Sequence, residues 1–361
     1  MNSLTSQEKD FIKHSLNQEN FAIEKLAGDV STRQYFRITL PSLRVPFPSL
    51  RVKRSNPIAV AMRSPQFPKG NFAMTNHDIY SFILMKAEPN TLPPFIEAAH
   101  YLKKGGLSVP AIFKSHKALG LLLLEDGGNM LLESIAQKNL STSLPFYKKA
   151  LKELVLLQTK LTRSSKKFSA KNISFTEEKF LDELLYMKEE LFKKYLKIKM
   201  NEKLMDQELK KLSKKITKIP YCLCHRDFHS RNILVYDKKI MILDFQDIRM
   251  GPFQYDVASL LRDSYISFKE KEEKKLLTFY FKTHKEEKSS FNPEEFLEHY
   301  DEVSLQRSLK ACGTFAGVWG RTQSTYYLKY IPNALIWIRK VLSKKHKEYP
   351  YLYDIIKEIK L

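Results

Sequence analysis

Asp227 and Asn232 stand five residues apart in His225-Arg226-Asp227-Phe228-His229-Ser230-Arg231-Asn232, a polar loop between two stretches of strand character, Tyr221 to Cys224 and Ile233 to Tyr236. A second acid, Asp244, ends the apolar run Ile240-Met241-Ile242-Leu243-Asp244-Phe245. An acid and an amide at that spacing, with another acid at the end of the next strand, suit the transfer of a phosphoryl group. The first carboxylate orients a hydroxyl nucleophile and accepts its proton, while the amide and the second carboxylate hold a magnesium ion against the phosphate oxygens. All four fixed positions of the H-R-D-x-x-x-x-N loop pattern are in register. A short hairpin around Asp237-Lys238-Lys239 joins the two motifs in the right order, and together they say more than either alone.

The neighbouring residues have structural readings. His225 holds the loop through backbone hydrogen bonds, and His229 is a packed loop residue. Asp256, just before the apolar stretch that runs to Arg262, caps a helix or braces the catalytic loop. Asp247 is a loop acid or a third group near the metal, and both readings stay open.

The elements that must position this chemistry read as an α+β fold. Phe36 to Leu40 is the first strand-like segment, and the small, polar Ala27 to Tyr35 before it suits a hairpin turn. Pro41 to Pro57 holds a tandem near-copy, Pro41-Ser42-Leu43-Arg44-Val45 and Pro48-Ser49-Leu50-Arg51-Val52, read as a duplication within a loop. Ile58 to Met62 has strand character. Pro94 to Lys104 reads as a helix closed by Gly105-Gly106. The apolar strand Leu121 to Leu124 stops at Glu125-Asp126-Gly127-Gly128, as a hinge does. Pro145 to Leu161 is amphipathic, and the chain beyond is mainly helical. The division drawn from this is a strand-rich N-terminal lobe at 1–127 and a helix-rich C-terminal lobe at 128–361.

Composition narrows the classes. The chain has 361 residues, 43% of them apolar, enough for two hydrophobic cores. No apolar run is long enough to span a bilayer, and the N-terminus is too charged for a signal peptide, so the expected place is the cytoplasm. Cys222, Cys224 and Cys312 make no disulfide framework. The net charge of +21 sits mostly in Lys- and Glu-rich helical stretches at Lys188 to Lys218 and Lys269 to Lys288, which read as solvated faces. Neither a specific nucleic-acid partner nor a membrane is expected.

These motifs resemble the aminoglycoside phosphotransferase and choline kinase superfamily, and within it the bacterial kinases that phosphorylate the anomeric hydroxyl of N-acetylmuramate and N-acetylglucosamine. The resemblance is carried by Ala27 to Arg37, Leu122 to Asp126, His225 to Asn232, Leu243 to Asp247 running on through Tyr255 to Asp263, and more weakly Leu305 to Lys310. It implies a protein-kinase-like two-lobed fold, ATP and magnesium, and a small-molecule acceptor, a sugar or an amino alcohol. By that similarity Gly28, Ser31, Thr32 and Tyr35 belong to the loop over the phosphates. Leu124, Glu125 and Asp126 meet adenine, Asp227 serves the acceptor, and Asn232 and Asp244 bind the metal. Gln246 stands where protein kinases keep glycine after Asp-Phe, which argues against a protein acceptor. The lysine that kinases carry on a strand to grip phosphates has no clear counterpart; Lys53, Arg63 or no residue at all fills that role. For an acceptor with a carboxylate, Arg249, Arg307 and Arg321 are the candidate partners. A cationic acceptor requires an acidic cleft, and a nucleotide-binding protein without activity is the remaining alternative.

Overall fold

The computed structural model describes residues 4–26, 33–40, 80–287 and 291–360. The chain forms two compact units, one from residues 1–129 and 234–246, the other from 130–233 and 247–361.

The first unit is built on a five-stranded antiparallel sheet in the order β1-β2-β3-β5-β4. The expected hairpin is present, with β1 (Ala22–Lys25) ahead of the expected segment Phe36 to Leu40; that segment forms β2 as Gln34–Thr39, so Tyr35 lies in the strand and not in the turn before it. All four residues of β1 are exposed, so the strand carries no apolar alternation to betray it. The next strand, β3 (Ser81–Lys86), pairs with β2. The tandem copy, Ile58 to Met62, Lys53 and Arg63 lie outside the described residues.

Helix α1 (Ser6–Leu16) begins in a capping box, with the Thr5 hydroxyl accepting from the Glu8 amide and the Glu8 carboxylate from the Thr5 amide. Its Ile12 and Leu16 pack with Phe36, Ile38, Phe82, Leu84, Leu121 and Leu123, the alternate residues of three strands. Helix α2 (Leu92–Gly105) stops at Gly106, whose φ of 102° is the left-handed cap a glycine supplies readily. From there the chain forms β4 (Ile112–His116) and the wholly buried β5 (Leu121–Glu125). At Gly120, φ is 69° and a Cβ would lie 1.9 Å from the Ala87 carbonyl oxygen, so the turn into β5 requires glycine.

The second unit is mainly helical. Helix α3 (Leu140–Leu156) starts ahead of Pro145, because the Asn139 side chain caps it by accepting from the Ser141 and Thr142 amides. It widens into a π-turn at Leu157–Leu161. Helices α4 (Glu177–Met187) and α5 (Glu202–Ile216) bury apolar stripes such as Met205, Leu209, Leu212 and Ile216, and the many lysines of α5 lie off that stripe.

Strand β6 (Tyr221–Cys224) leads into the loop 225–232. The chain then crosses to the first unit in a hairpin of β7 (Ile233–Tyr236) and β8 (Lys239–Ile242), joined by Asp237 and Lys238 at φ 42° and 58°, the pair of left-handed residues a type I′ turn needs. It returns in β9 (Arg249–Pro252), which pairs antiparallel with β6. Helices α6 (Tyr255–Leu261), α7 (Pro293–Thr322) and α8 (Ile331–Lys345) complete the core. Among the described residues no helix is long and apolar enough to cross a membrane.

Candidate active site

The loop after β6 is fixed by two buried carboxylates from residues about thirty positions downstream. Asp256, in the first turn of α6, accepts from the His225 amide at 2.6 Å and the Arg226 amide at 2.9 Å. Those bonds hold Arg226 at φ 82°, a left-handed conformation that is costly for a residue with a Cβ. Burial pushes the Asp256 carboxyl up to about 7, against the pull of the two amides. Asp263 does the same one turn along the loop, taking the Ser230 amide at 2.9 Å and the Ser230 hydroxyl at 2.6 Å on Oδ2, and the Tyr265 amide at 2.9 Å on Oδ1. The His225 ring is buried edge-on to Phe228, with centroids 5.4 Å apart, and His229 packs likewise against Tyr265. Burial and the neighbouring Arg307 drive His229 down to about 3, so its imidazole is neutral at physiological pH.

Within this frame the Asn232 Nδ2 donates to the Asp227 carbonyl at 2.9 Å, which leaves the amide oxygen of Asn232 as its donor atom toward a ligand. The Asp227 carboxylate stays about a quarter exposed and faces two cations of α7: Lys310 Nζ lies 3.2 Å from Oδ1, and Arg307 Nη2 lies 3.8 Å from the same oxygen. Burial works to raise the pKa of Asp227, but Lys310, Arg307, His229 and Arg226 together hold it well below the usual carboxylate range. Arg307 is anchored separately, its Nε donating to the Ser259 hydroxyl at 2.7 Å. A cavity of about 130 Å³ opens beside these groups, walled by Ser259, Asp263, Thr314 and the rings of Tyr265 and Phe315.

The structure therefore brings Asp227, Asn232, His225, Asp256 and Arg307 together. Two other arginines go elsewhere. Arg249, opposite Cys224 on β9, donates to the Asp247 carbonyl and stacks over Phe175. Arg321, at the exposed end of α7, donates to the Tyr186 hydroxyl. Neither lines the cavity beside Asp227. Asp247 is exposed and 3.7 Å from Arg226 Nη1. The three cysteines are buried free thiols, and among the described residues no group of three or more His, Cys, Asp or Glu could hold a metal ion.

In the first unit, Asp244 follows β8 at φ 59° with its side chain exposed, and its Oδ1 accepts from Gln246 Nε2 at 2.7 Å. Phe245 beside it is buried against Phe95. Burial raises the pKa of the Tyr35 phenol, with Arg33 opposing and Asp244 adding to the rise. The acids at the end of β5 are committed to the fold. Glu125 accepts from Lys103 Nζ and from the Ala111 amide, both at 3.0 Å. Asp126 takes a two-pronged contact from Arg37, at 2.6 and 3.0 Å, and the Gly128 amide at 2.8 Å. Leu124 lies within the sheet, paired with Ile83 and Ile112. Gly28, Ser31 and Thr32 lie outside the described residues.

The strand before α2 is β3, and its lysine is Lys86, for which the sequence alone suggests no role. Lys86 pairs with Glu8 of α1 at 2.5 Å. Strand alternation therefore puts Ile83 and Met85, not a cation, on the face turned away from α1. Lys310 and Asp263 lie in stretches that carry the resemblance, but the sequence gives neither a role. The signal for Lys310 was its place one turn after Arg307, a second cation amid the apolar Leu305, Leu309, Ala311 and Cys312.

Residues 70–289 match the family model described as the phosphotransferase enzyme family, APH. The chain belongs to this family. It is a phosphotransferase and a kinase of the APH type. An N-acetylmuramate/N-acetylglucosamine kinase of Neisseria meningitidis serogroup B is 29% identical over 304 residues, covering 80% of this chain and 86% of that protein. A kinase of the same description from Pseudomonas aeruginosa is 25% identical over 274 residues, covering 73% and 78%. Among solved structures, a choline/ethanolamine kinase family protein from Mesorhizobium loti superposes with a TM-score of 0.56 at 13% identity, covering 96% of this chain and 99% of that one. The streptomycin-ATP-APH(2")-IIa ternary complex superposes with 0.54 at 14% identity, covering 93% and 97%. These likenesses bear on the fold: an antiparallel sheet in the N-terminal part and a mainly helical remainder, as in protein-kinase-like enzymes.

Proposed function

We propose that this phosphotransferase moves the γ-phosphate of ATP onto the anomeric hydroxyl of a neutral or anionic amino sugar, with N-acetylmuramate and N-acetylglucosamine as the acceptors. The observation that carries this reading is the pair of cations, Arg307 and Lys310, set against Asp227 at the cavity. A choline or aminoglycoside cation would meet like charge there, whereas a sugar hydroxyl or a sugar carboxylate would not. The aromatic rings of Tyr265 and Phe315 in the cavity wall suit the apolar face of a pyranose. The names of the relatives agree with this chemistry.

Asp227 receives the acceptor hydroxyl. Its low pKa makes it an orienting group first and a proton acceptor only as the hydroxyl proton becomes acidic during transfer. Asn232 and Asp244 are assigned to magnesium by the resemblance, and each has an oxygen outside its own hydrogen bond, as a ligand of a hard cation needs. Magnesium would neutralise charge on the phosphate oxygens. Because Glu125 and Asp126 use their carboxylates within the fold and the Glu125 amide donates to the Ala111 carbonyl, adenine recognition falls to the remaining backbone groups of Leu124 to Asp126. Gly28, Ser31, Thr32 and Tyr35 are assigned to the phosphates. A sugar 1-phosphate made in the cytoplasm belongs to the reactions that reclaim cell-wall amino sugars.

The test is ATP consumption with magnesium across N-acetylmuramate, N-acetylglucosamine, other hexoses, choline and aminoglycosides, with phosphorus NMR of the products. Phosphate on the anomeric oxygen of an N-acetyl sugar is the expected outcome. Preferred turnover of a cationic acceptor would overturn the acceptor assignment, and tight ATP binding with no turnover would favour a nucleotide-binding protein without activity.

A further inference from the structure

The two cations beside Asp227 are held differently. Arg307 is tied to the Ser259 hydroxyl, while the recorded partner of the Lys310 ammonium is Asp227 itself. Both approach Oδ1 of that carboxylate. The other oxygen is thus left for a hydroxyl. Lys310 also has a flexible four-carbon stem, so its charge can move without any shift of α7.

An acceptor hydroxyl served by Asp227 lies about 2.6–3.2 Å from its carboxylate. The phosphorus it attacks is then a further 3–3.5 Å or so away. From 3.2 Å off Oδ1, Nζ reaches an oxygen of that phosphoryl group by turning its terminal torsions. Cationic groups are what a phosphoryl group in transit requires. On β3 the lysine that might have supplied one is engaged with Glu8.

We propose that Lys310 is a further catalytic residue, whose ammonium leaves Asp227 Oδ1 as the acceptor binds and neutralises the phosphoryl group in transit. The inference rests on the reading of Asp227 as the partner of the acceptor hydroxyl. The acceptor oxygen forms its bond to the γ-phosphorus while the bond from phosphorus to the β,γ-bridging oxygen breaks, and ADP leaves with that electron pair. The hydroxyl proton passes to Asp227. Lys310 stays protonated and supplies charge only.

Lys310→Met keeps the length of the side chain and removes its charge, and Lys310→Arg restores a cation. Both are compared with wild type for kcat and KM on the best acceptor of the panel, and for binding of ADP with magnesium and aluminium fluoride, a mimic of the phosphoryl group in transit that needs no known acceptor. Thermal unfolding reports whether the fold is kept. Lys310→Met is expected to lose about 100-fold or more in kcat on neutral and anionic acceptors alike. Acceptor KM should stay within about threefold, and the fluoride complex should bind at least about 30-fold more weakly while ADP alone binds as before. Lys310→Arg is expected to recover part of the loss. A kcat within about threefold of wild type, or a defect confined to KM for an anionic acceptor, would overturn the proposal. Unchanged binding of the fluoride complex would do the same. Failure of the sugar assignment shows separately, in which acceptors the wild type uses, and leaves this comparison readable.

Discussion

The loop that carries Asp227 and the turn that carries Asp244 are held by opposite means. Around Asp227 the backbone is pinned by buried carboxylates: Asp256 on two successive amides, Asp263 on three donors. Both acids come from a segment about thirty residues later, so the loop keeps its shape only while α6 and the residues after it are docked. Asp244 depends on almost nothing distant. Its left-handed φ follows from the end of a short hairpin and the burial of Phe245, and its exposed side chain is touched by Gln246. The contrast suits the roles proposed for them: a group that must meet a hydroxyl from one direction gains from a rigid frame. A ligand for a hydrated cation gains from exposure and some latitude.

The largest effect expected from breaking this contrast is on chemistry. Asp227→Ala should lower kcat by about 10³-fold, within the range for loss of a positioned general base, with ATP affinity unchanged within a few-fold. Steady-state kinetics and calorimetric nucleotide binding check both halves, and wild-type turnover would remove Asp227 from the mechanism. Next comes the frame. Asp256→Ala strands one buried and one partly buried amide at about 1–3 kcal/mol each, so a loss near 3 kcal/mol and a clear fall in Tm are expected, together with loss of turnover. A variant that unfolds like wild type would show that the loop stands without its brace.

The same carboxyl gives a smaller, pH-dependent signature. Its pKa rises from the ordinary 3.8 to about 7 in the folded chain, so between those values the folded state binds the proton more tightly than the unfolded one. Its contribution to stability is therefore fully present below pH 4 and is lost as pH rises through about 7. Asp256→Asn has no such proton, so the difference in Tm between wild type and this variant should narrow as pH is raised from 4 to 7. A constant difference would mean that the group is ionised throughout.

The local frame of the candidate site was legible in the sequence because it is short-range. The spacing of Asp227 to Asn232, the apolar run before Asp244 and the turn at Asp237-Lys238 each lie within a few residues, and the cap at Gly105-Gly106 is a short-range signal of the same kind. What the sequence did not show depends on distance or burial. Asp263 reads as one more acid after an apolar helix until the fold brings Ser230 to it. Lys310 carries only a weak mark, its place one turn after Arg307, until α7 sets it beside Asp227, and Lys86 falls in a segment the sequence leaves unassigned until α1 supplies Glu8. Strand β1, exposed at every residue, offers no periodicity at all. Arg249, Arg307 and Arg321 are equivalent as letters, and only docking of β9 and α7 separates the one beside Asp227 from the other two.

The smallest expected effect on stability falls on the turn after β8. Asp244→Gly removes a carboxylate but relieves a left-handed φ of 59°, which glycine adopts freely. Its one recorded side-chain hydrogen bond, to Gln246, is exposed and contributes little. The expected outcome is a Tm equal to wild type or slightly higher, by about 0.5 kcal/mol in stability, with turnover lost. Asp256→Ala, in contrast, loses both stability and turnover. If Asp244→Gly instead destabilised the chain as Asp256→Ala does, Asp244 would belong to the frame and not to the chemistry, and the division between a braced loop and a strained, open turn would fail.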